Sequence, residues 1–159
     1  MIDCAVTRGY ETEMLSRWVA DLIWPGRGKD FGNCQGLAIV EDGTLIAGMI
    51  WHNWDPDAGV VEISGAGTSS RWLTRKTLRT MFAVPFEEWG CQAVVMRVSD
   101  HDDALHRMLR SYGFERYRIP RLRGRDEAEN VFLLTDAAWA ANKFNRKKSN
   151  GQEFSAKAA

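Results

Sequence analysis

The apolar positions of this chain change period several times, and each change marks a predicted element. A short run at Ile2–Val6 reads as a strand. Met14, Leu15, Trp18, Val19, Leu22 and Ile23 then recur at helical spacing, leaving Glu11, Glu13, Arg17 and Asp21 for solvent. Trp24-Pro25-Gly26 ends that helix, because a residue before proline prefers an extended backbone. Residues 26–35 are polar and glycine-rich and read as a loop. Gly36–Glu41 and Thr44–Trp54 are β-rich runs joined by Asp42-Gly43, the signature of a two-residue type I′ hairpin. A second turn at Asp55-Pro56-Asp57-Ala58-Gly59 leads into a third strand, Val60–Ser64.

The helical period then returns. Trp72, Leu78, Met81, Phe82, Pro85 and Trp89 share one face of a helix ending at Gly90, and Pro85 must kink its last turn or split it away. Ala93–Val98 is a continuous apolar run typical of a buried strand. The next helix carries Ala104, Leu105, Met108, Leu109 and Tyr112 inward, with Asp100 or Asp102 as N-cap. Gly113-Phe114 closes it and opens another strand. A basic loop, Arg116–Arg125, leads to a final strand at Asn130–Leu134, and Thr135 caps a short helix reaching Phe144. The order is β-α-β-β-β-α-β-α-β-β, an α/β (α+β) domain with a mixed sheet over residues 1–144. Residues 145–159 are small and polar and read as a mobile tail.

Composition narrows the function classes. The chain has 159 residues, enough for one domain with a real core. Lys+Arg and Asp+Glu both number 21, so net charge gives no pull toward nucleic acid or membrane. No apolar run is long enough to cross a bilayer and no signal-peptide core is present, so a cytoplasmic location is expected. Cys4, Cys34 and Cys91 are an odd count without close spacing, which fits reduced thiols rather than disulfides or a zinc site. His52 with Asp55 and Asp57, or His101 with Asp102 and Asp103, match no standard metal-ligand set, and no metal is expected.

The stretch Ser64-Gly65-Ala66-Gly67-Thr68-Ser69-Ser70-Arg71-Trp72-Leu73-Thr74 is the most informative. A strand ends in small residues, turns, and feeds a helix that starts with Arg71, Arg75 and Lys76. Basic groups oppose the dipole at a helix start unless an anion compensates them, so a phosphate site is expected here. A solvated basic helix end is the plainer alternative. Gly65-x-Gly67-x-x-Ser70 lacks the third glycine of a dinucleotide fingerprint, and hairpins precede it where a βαβ unit should stand.

Taken together, these segments resemble the GNAT superfamily of N-acyltransferases. Val60–Gly90 is similar to that family's acyl-CoA pyrophosphate segment. Phe86-Glu87-Glu88-Trp89-Gly90 with Ala93–Val98 resembles its helix end and fifth strand. Asp102-Asp103-Ala104-Leu105 through Tyr112-Gly113-Phe114 is similar to its Asn-x-x-Ser…Leu-Gly-Phe segment. The likeness is nearest to the subgroup acetylating ribosomal-protein N-termini and to phage and prophage members. It implies helices on both faces of a mostly antiparallel sheet, acetyl-CoA as cofactor, and direct acyl transfer to an amine in a ternary complex. The acceptor would be a small molecule, a protein N-terminus or a lysine, and a homodimer is compatible.

The resemblance places the coenzyme near Ser64, Gly65, Ala66, Ser70, Arg71, Trp72, Leu73, Thr74, Arg75 and Asp102. Glu62 is the base it implies, against the plainer reading of an exposed partner for an arginine. Ser99 or Tyr112 is the acid. The family's glycine-rich pyrophosphate loop is missing, with Ser70 and Trp72, or Leu73 and Arg75, where glycines would stand. Asp102 replaces Asn, Leu105 replaces Ser, and Leu109 stands where many members carry the tyrosine that protonates the departing thiolate. Two rival readings follow: a catalytically degenerate binding or assembly module, and a nucleic-acid binder using the Arg116–Arg125 run.

Overall fold

The computed structural model describes residues 1–145; the expected polar tail, Asn145 apart, lies outside the described residues. Seven strands form one sheet in the order β1-β2-β3-β4-β5-β7-β6. They are β1 Ile2–Val6, β2 Cys34–Glu41, β3 Thr44–Asp55, β4 Val60–Gly67, β5 Ala93–Ser99, β6 Glu115–Gly124 and β7 Glu127–Thr135. Every neighbouring pair is antiparallel except β4 and β5, which run parallel. The sheet is mixed and mostly antiparallel, as expected.

Helix α1, Tyr10–Ile23, covers one face of β2–β4. Its buried positions are Thr12, Leu15, Ser16, Val19 and Ala20, whereas Met14 and Leu22 are exposed. The buried stripe is thus rotated from the one the largest apolar side chains predict. The cause lies in the sheet: a Cβ on Gly48 would come 2.5 Å from Val19 Cγ2 and 2.7 Å from Leu15 Cδ1, so the glycine makes room for both. Small Ser16 and Ala20 complete the close seat.

The opposite face carries α2 Arg75–Ala83, α3 Asp103–Tyr112 and α4 Asp136–Ala141. Between β4 and α2 lies one 3-10 turn, Ser70–Trp72, so α2 begins later than its apolar period suggests. After α2 the backbone widens into a π-type turn, Val84–Glu88, with Trp89 N–H donating to Val84 O at 3.1 Å. Pro85 explains it: without an N–H it leaves the carbonyl of Met81 free. Trp51 on β3 fills the vacancy, its indole Nε1 donating to Met81 O at 3.0 Å.

The hairpin and caps follow their residues. Asp42 and Gly43 both take positive φ, 50° and 85°, as a type I′ turn requires. Asp102 accepts from Leu105 N–H, and Thr135 accepts from Ala138 N–H, capping α3 and α4. The helix after Thr135 stops at Ala141, short of Phe144.

One expectation is overturned. The arginine-rich segment Arg116–Arg125 is not a loop but most of edge strand β6, paired with β7 from Glu115↔Leu133 to Ile119↔Glu129 and again at Gly124↔Glu127. Arginines alternate there with Tyr117 and Ile119, a strand period, and carboxylates answer several of them. Arg118 and Arg116 reach Asp100, and Arg123 reaches Glu127 and Glu129. Among the described residues no helix is long and apolar enough to cross a membrane.

The seat of α1 is directly testable. Gly48→Ala is expected to lower the unfolding free energy by about 1–3 kcal/mol, the usual cost of overpacking. Gly124→Ala, where an added Cβ would meet only Glu127 Cβ at 4.0 Å, is the control and should leave the denaturant midpoint in place. Equal midpoints for both variants would contradict the close approach of α1 to β3.

Candidate functional site

The two parallel strands at the centre stay together for only three pairs, Val60↔Ala93, Val61↔Val94 and Glu62↔Val95. Beyond these, β4 follows β3 as far as Gly67, and β5 follows β7 as far as Ser99. A V-shaped gap opens between them. Thr68 N–H donates to Ile46 O on β3, so by the two-residue period of a strand the amides of Gly65 and Gly67 face the gap. Of the segment Ser64–Ala66, Gly65 is therefore the residue that offers its backbone there. Ala66 packs instead toward the core under α1.

A cavity lies on each side of the gap, and Gly65, Met96 and Leu105 border both. The first, about 300 Å³, lies on the α2–α3 side and is almost wholly apolar, with walls from Leu73, Leu78, Met108 and Tyr112. The indole of Trp72 closes one end. A Cβ on Gly65 would lie 3.4 Å from Trp72 Cη2, and one on Gly67 would lie 3.1 Å from Trp72 Cδ1.

At the mouth of this cavity α2 begins. Thr74 caps it, accepting from Thr77 N–H at 3.1 Å. Ser69, not Ser70, caps the short turn before it, accepting from Arg71 N–H, and Ser70 is exposed. Arg71 is drawn away to Glu41 at 2.7 Å, and Lys76 to Asp3 at 2.6 Å. Arg75 is exposed and makes no ion pair among the described residues. It is the cation left at the helix start.

The second cavity, about 820 Å³, is polar and sits on the α1 side. Glu62, His52 and Ser64 converge on it. His52 and Glu62 are cross-strand partners in the register of β3 and β4. His52 Nε2 shares a hydrogen bond of 2.9 Å with Ser64 Oγ and lies 3.7 Å from Glu62 Oε2. Asn53 Nδ2 donates to Glu62 Oε1 at 3.0 Å. The carboxylate is only 18% exposed, and it meets a histidine and an amide rather than an arginine.

Burial beside the Phe31 ring, 4.8 Å away, holds the His52 pKa below its ordinary 6.5, and the Glu62 charge opposes that only in part. A neutral imidazole beside a carboxylate can take a proton and be steadied once charged.

Other expected site residues are placed differently. Ser99 borders the polar cavity, but its hydroxyl donates to Glu127 at 2.8 Å. Asp102 borders the same cavity while serving as the α3 cap. Tyr112 is buried, and its hydroxyl accepts from the Trp139 indole on α4 at 3.2 Å. Burial raises its pKa. Leu109, where the family's tyrosine would stand, is buried in the core.

Sequence reasoning missed His52 as a partner of Glu62. Glu129, expected with Asp126 and Glu127 only as a solvated answer to the arginine run, is instead 3% exposed between Arg97 and Arg123. A register count back from Asp55 and Val60 would set Asn53 opposite Glu62. A shift between His52 and Asp55, where Asn53 takes a positive φ of 51°, puts His52 there instead, and no spacing in the sequence signals it.

No family model and no curated protein matches the sequence. Solved structures do match the shape. The spermidine/spermine N-acetyltransferase SpeG from Vibrio cholerae superposes with a TM-score of 0.68 at 7% identity, covering 87% of this chain and 97% of that one. The fold is that of the GNAT acetyltransferases. A second similar structure is yncA from Salmonella typhimurium, described as an acetyltransferase with its cofactor acetyl-CoA. It has a TM-score of 0.64 at 16% identity over 84% of this chain and 93% of that one. A GNAT-family protein from Chromobacterium violaceum has a TM-score of 0.59 at 17% identity over 69% of this chain. The present chain spans 63% of that protein's length, and 65% of another similar acetyltransferase structure. The GNAT fold places the gap between β4 and β5 at the centre of the molecule.

The protonation state of His52 is open to measurement. Its depressed pKa means the folded chain binds fewer protons than the unfolded one, so stability is present above 6.5 and is lost as pH falls through the folded value. Between about pH 7.5 and 5.5 the wild-type unfolding free energy should decline, and His52→Gln should flatten that decline. Equal slopes for the two proteins would contradict a buried neutral imidazole.

Proposed function

We propose that this chain is an acyl-CoA-dependent N-acyltransferase that moves an acetyl group to a primary amine. The observation that carries the reading is the Gly65 amide, facing a gap with an apolar cavity on one side and a polar, base-bearing cavity on the other. An elongated thioester needs an apolar channel for its arm, a donor for its carbonyl, and access for an amine from the far side. The residues present fit such a group.

Gly65 N–H would steady the carbonyl oxygen, an oxyanion-type contact. Trp72, Leu73 and Leu78 would line the arm. The free amides of the α2 start, with Arg75, would hold the phosphates. When bound, acetyl-CoA would supply an activated acyl carbon for the amine nitrogen, with its thiolate as the leaving group.

The chain's own residues handle the proton. An ammonium has no lone pair, so it must lose a proton to react. Glu62 binds the ammonium at the polar side of the gap, and neutral His52 shares the proton that it gives up. Ser64 orients the imidazole. The Ser99 hydroxyl already donates to Glu127, whereas the Tyr112 hydroxyl only accepts, from Trp139, and beside the apolar cavity it keeps a proton that would go to the thiolate. The neighbouring folds named as acetyltransferases, one of them with acetyl-CoA, support this reading. The buried Leu109 favours the rival, a non-catalytic member of the same fold.

Calorimetric titration with acetyl-CoA, with NADH as control, decides between them: one-site binding of acetyl-CoA alone is expected. Arg75→Glu should weaken that binding by about tenfold through charge reversal at the helix start. Glu62→Gln should lower kcat by about 10²-fold or more and leave coenzyme affinity intact. A folded protein that binds no acetyl-CoA would favour the binding module.

A further inference from the structure

The polar cavity carries a second charge arrangement that acyl transfer as such does not need. Four carboxylates border it: Asp30, Glu62, Asp102 and Glu129. Three are committed to the protein. Asp30 accepts from Gly32 N–H in its own turn, and Asp102 caps α3. Glu129 is 3% exposed, and each of its oxygens is held by a different arginine. Arg97 Nε and Nη2 approach Oε2 at 3.0 and 2.9 Å, and Arg123 Nη1 donates to Oε1 at 2.7 Å. Asp30 and Asp102 are exposed, whereas Glu62, 18% exposed between His52 and Asn53, is the one enclosed carboxylate of the four without an arginine partner, and so the place for an ammonium.

The arginines are in the opposite situation. Glu129 is enclosed, but Arg97 and Arg123 are 47% and 36% exposed. Arg97 leaves Nη1 unused by Glu129. Arg123 leaves Nη2 unused, its Nε facing Glu127 at 3.3 Å. A buried carboxylate between two guanidinium groups fixes their planes, and a fixed fork suits a planar anion such as a carboxylate. Arg27 and Lys29, on the loop above, border the same cavity without an ion pair among the described residues. The spacing is short. Arg97 lies two residues past Val95, the partner of Glu62, and so ~7 Å farther along β5 on the same face.

We propose that the acceptor is a primary amine that also carries a carboxylate, an amino-acid-like molecule. Its amine lies at Glu62 and His52, and its carboxylate at Arg97 and Arg123. A polyamine does not suit this cavity, because its second ammonium would meet guanidinium groups. A peptide N-terminus lacks the free carboxylate that the arginines await. The inference rests on the acyltransferase reading above.

The test uses compounds matched in everything but the anion: L-phenylalanine, L-phenylalaninamide and phenethylamine, with spermidine alongside. Two readouts are taken on the full chain, calorimetric binding of each amine and thiol release in the presence of acetyl-CoA. L-Phenylalanine is expected to exceed both of its neutral-tailed analogues by about tenfold or more in affinity and in kcat/KM, the effect of one charge-assisted contact. Arg97→Gln should collapse that ratio toward unity. Arg97→Lys keeps the charge opposite Glu129 and should also reduce the ratio, which covers the case in which the glutamine variant fails to fold. Equal or better use of the amide, phenethylamine or spermidine by a protein that binds acetyl-CoA overturns this inference alone. Failure to bind acetyl-CoA overturns the acyltransferase reading and this inference with it.

Discussion

Three residue pairs between β4 and β5 hold the two halves of this sheet together, and everything functional follows from their being so few. On one side β1–β4 form an antiparallel block, and on the other β5, β7 and β6 form a second. Each block has long ladders of its own, with β3–β4 and β5–β7 running well past Glu62 and Val95. Where the seam ends, β4 keeps company with β3 and β5 with β7, and the backbone edges between them face a gap instead of each other. Buried backbone groups require partners, so an open seam in the middle of a sheet is costly unless something occupies it. The gap is tolerable in a protein that binds an extended, amide-bearing ligand there.

The helical layer compensates for the weak seam. Phe82 on α2 stacks among Tyr112 and Phe114 from the second block, with centroids 5.0 and 5.9 Å away. Phe86, in the π-type turn, meets Trp139 of α4 at 5.2 Å. On the first block Trp51 donates to the carbonyl that Pro85 leaves open. Proline and tryptophan thus form a single device: the proline widens the helix end and frees an acceptor, and the indole both satisfies it and locks the layer to β3. The same widened turn aims Phe86 across the seam. Cohesion comes from this face, which leaves the other face free to hold a polar cavity.

Much of this was legible in the residues because it is local. Asp42-Gly43 specifies its turn by backbone sterics, Asp102 and Thr135 specify caps by the reach of a short side chain, and Pro85 specifies a break by lacking a hydrogen. What was not legible depends on distant partners. The strand at Arg116–Arg125 reads as a loop until β7 supplies its ladder and Asp100, Glu127 and Glu129 answer its charges. The rotation of α1 is decided by Gly48 on another element. Arg97, Arg123 and Glu129 come from three strands, and no spacing in the chain announces that they meet. Glu62 was expected from its strand beside the gap, but His52 stands opposite it only because the register shifts between His52 and Asp55, which the turn residues do not announce.

The departure at the pyrophosphate loop also has a physical account. A glycine-rich loop gives a phosphate close access to backbone; here Trp72 stands in that region, and the space for its ring is made elsewhere. Gly65 and Gly67 on β4 lack the Cβ atoms that would meet the indole, and Ala47 and the Ile46 carbonyl leave no room for one at Gly67 either. The freedom lost from the loop has been moved into the strand. The indole then walls the apolar cavity and narrows it toward the gap, while the helix start keeps Thr74 as cap and Arg75 as its uncommitted cation. On the proposed acyl-CoA reading, recognition of the arm by apolar contact would gain weight, and recognition of the phosphates by backbone would lose some. Such a site would discriminate that ligand more by the shape of the channel beside Gly65 than by its charged end.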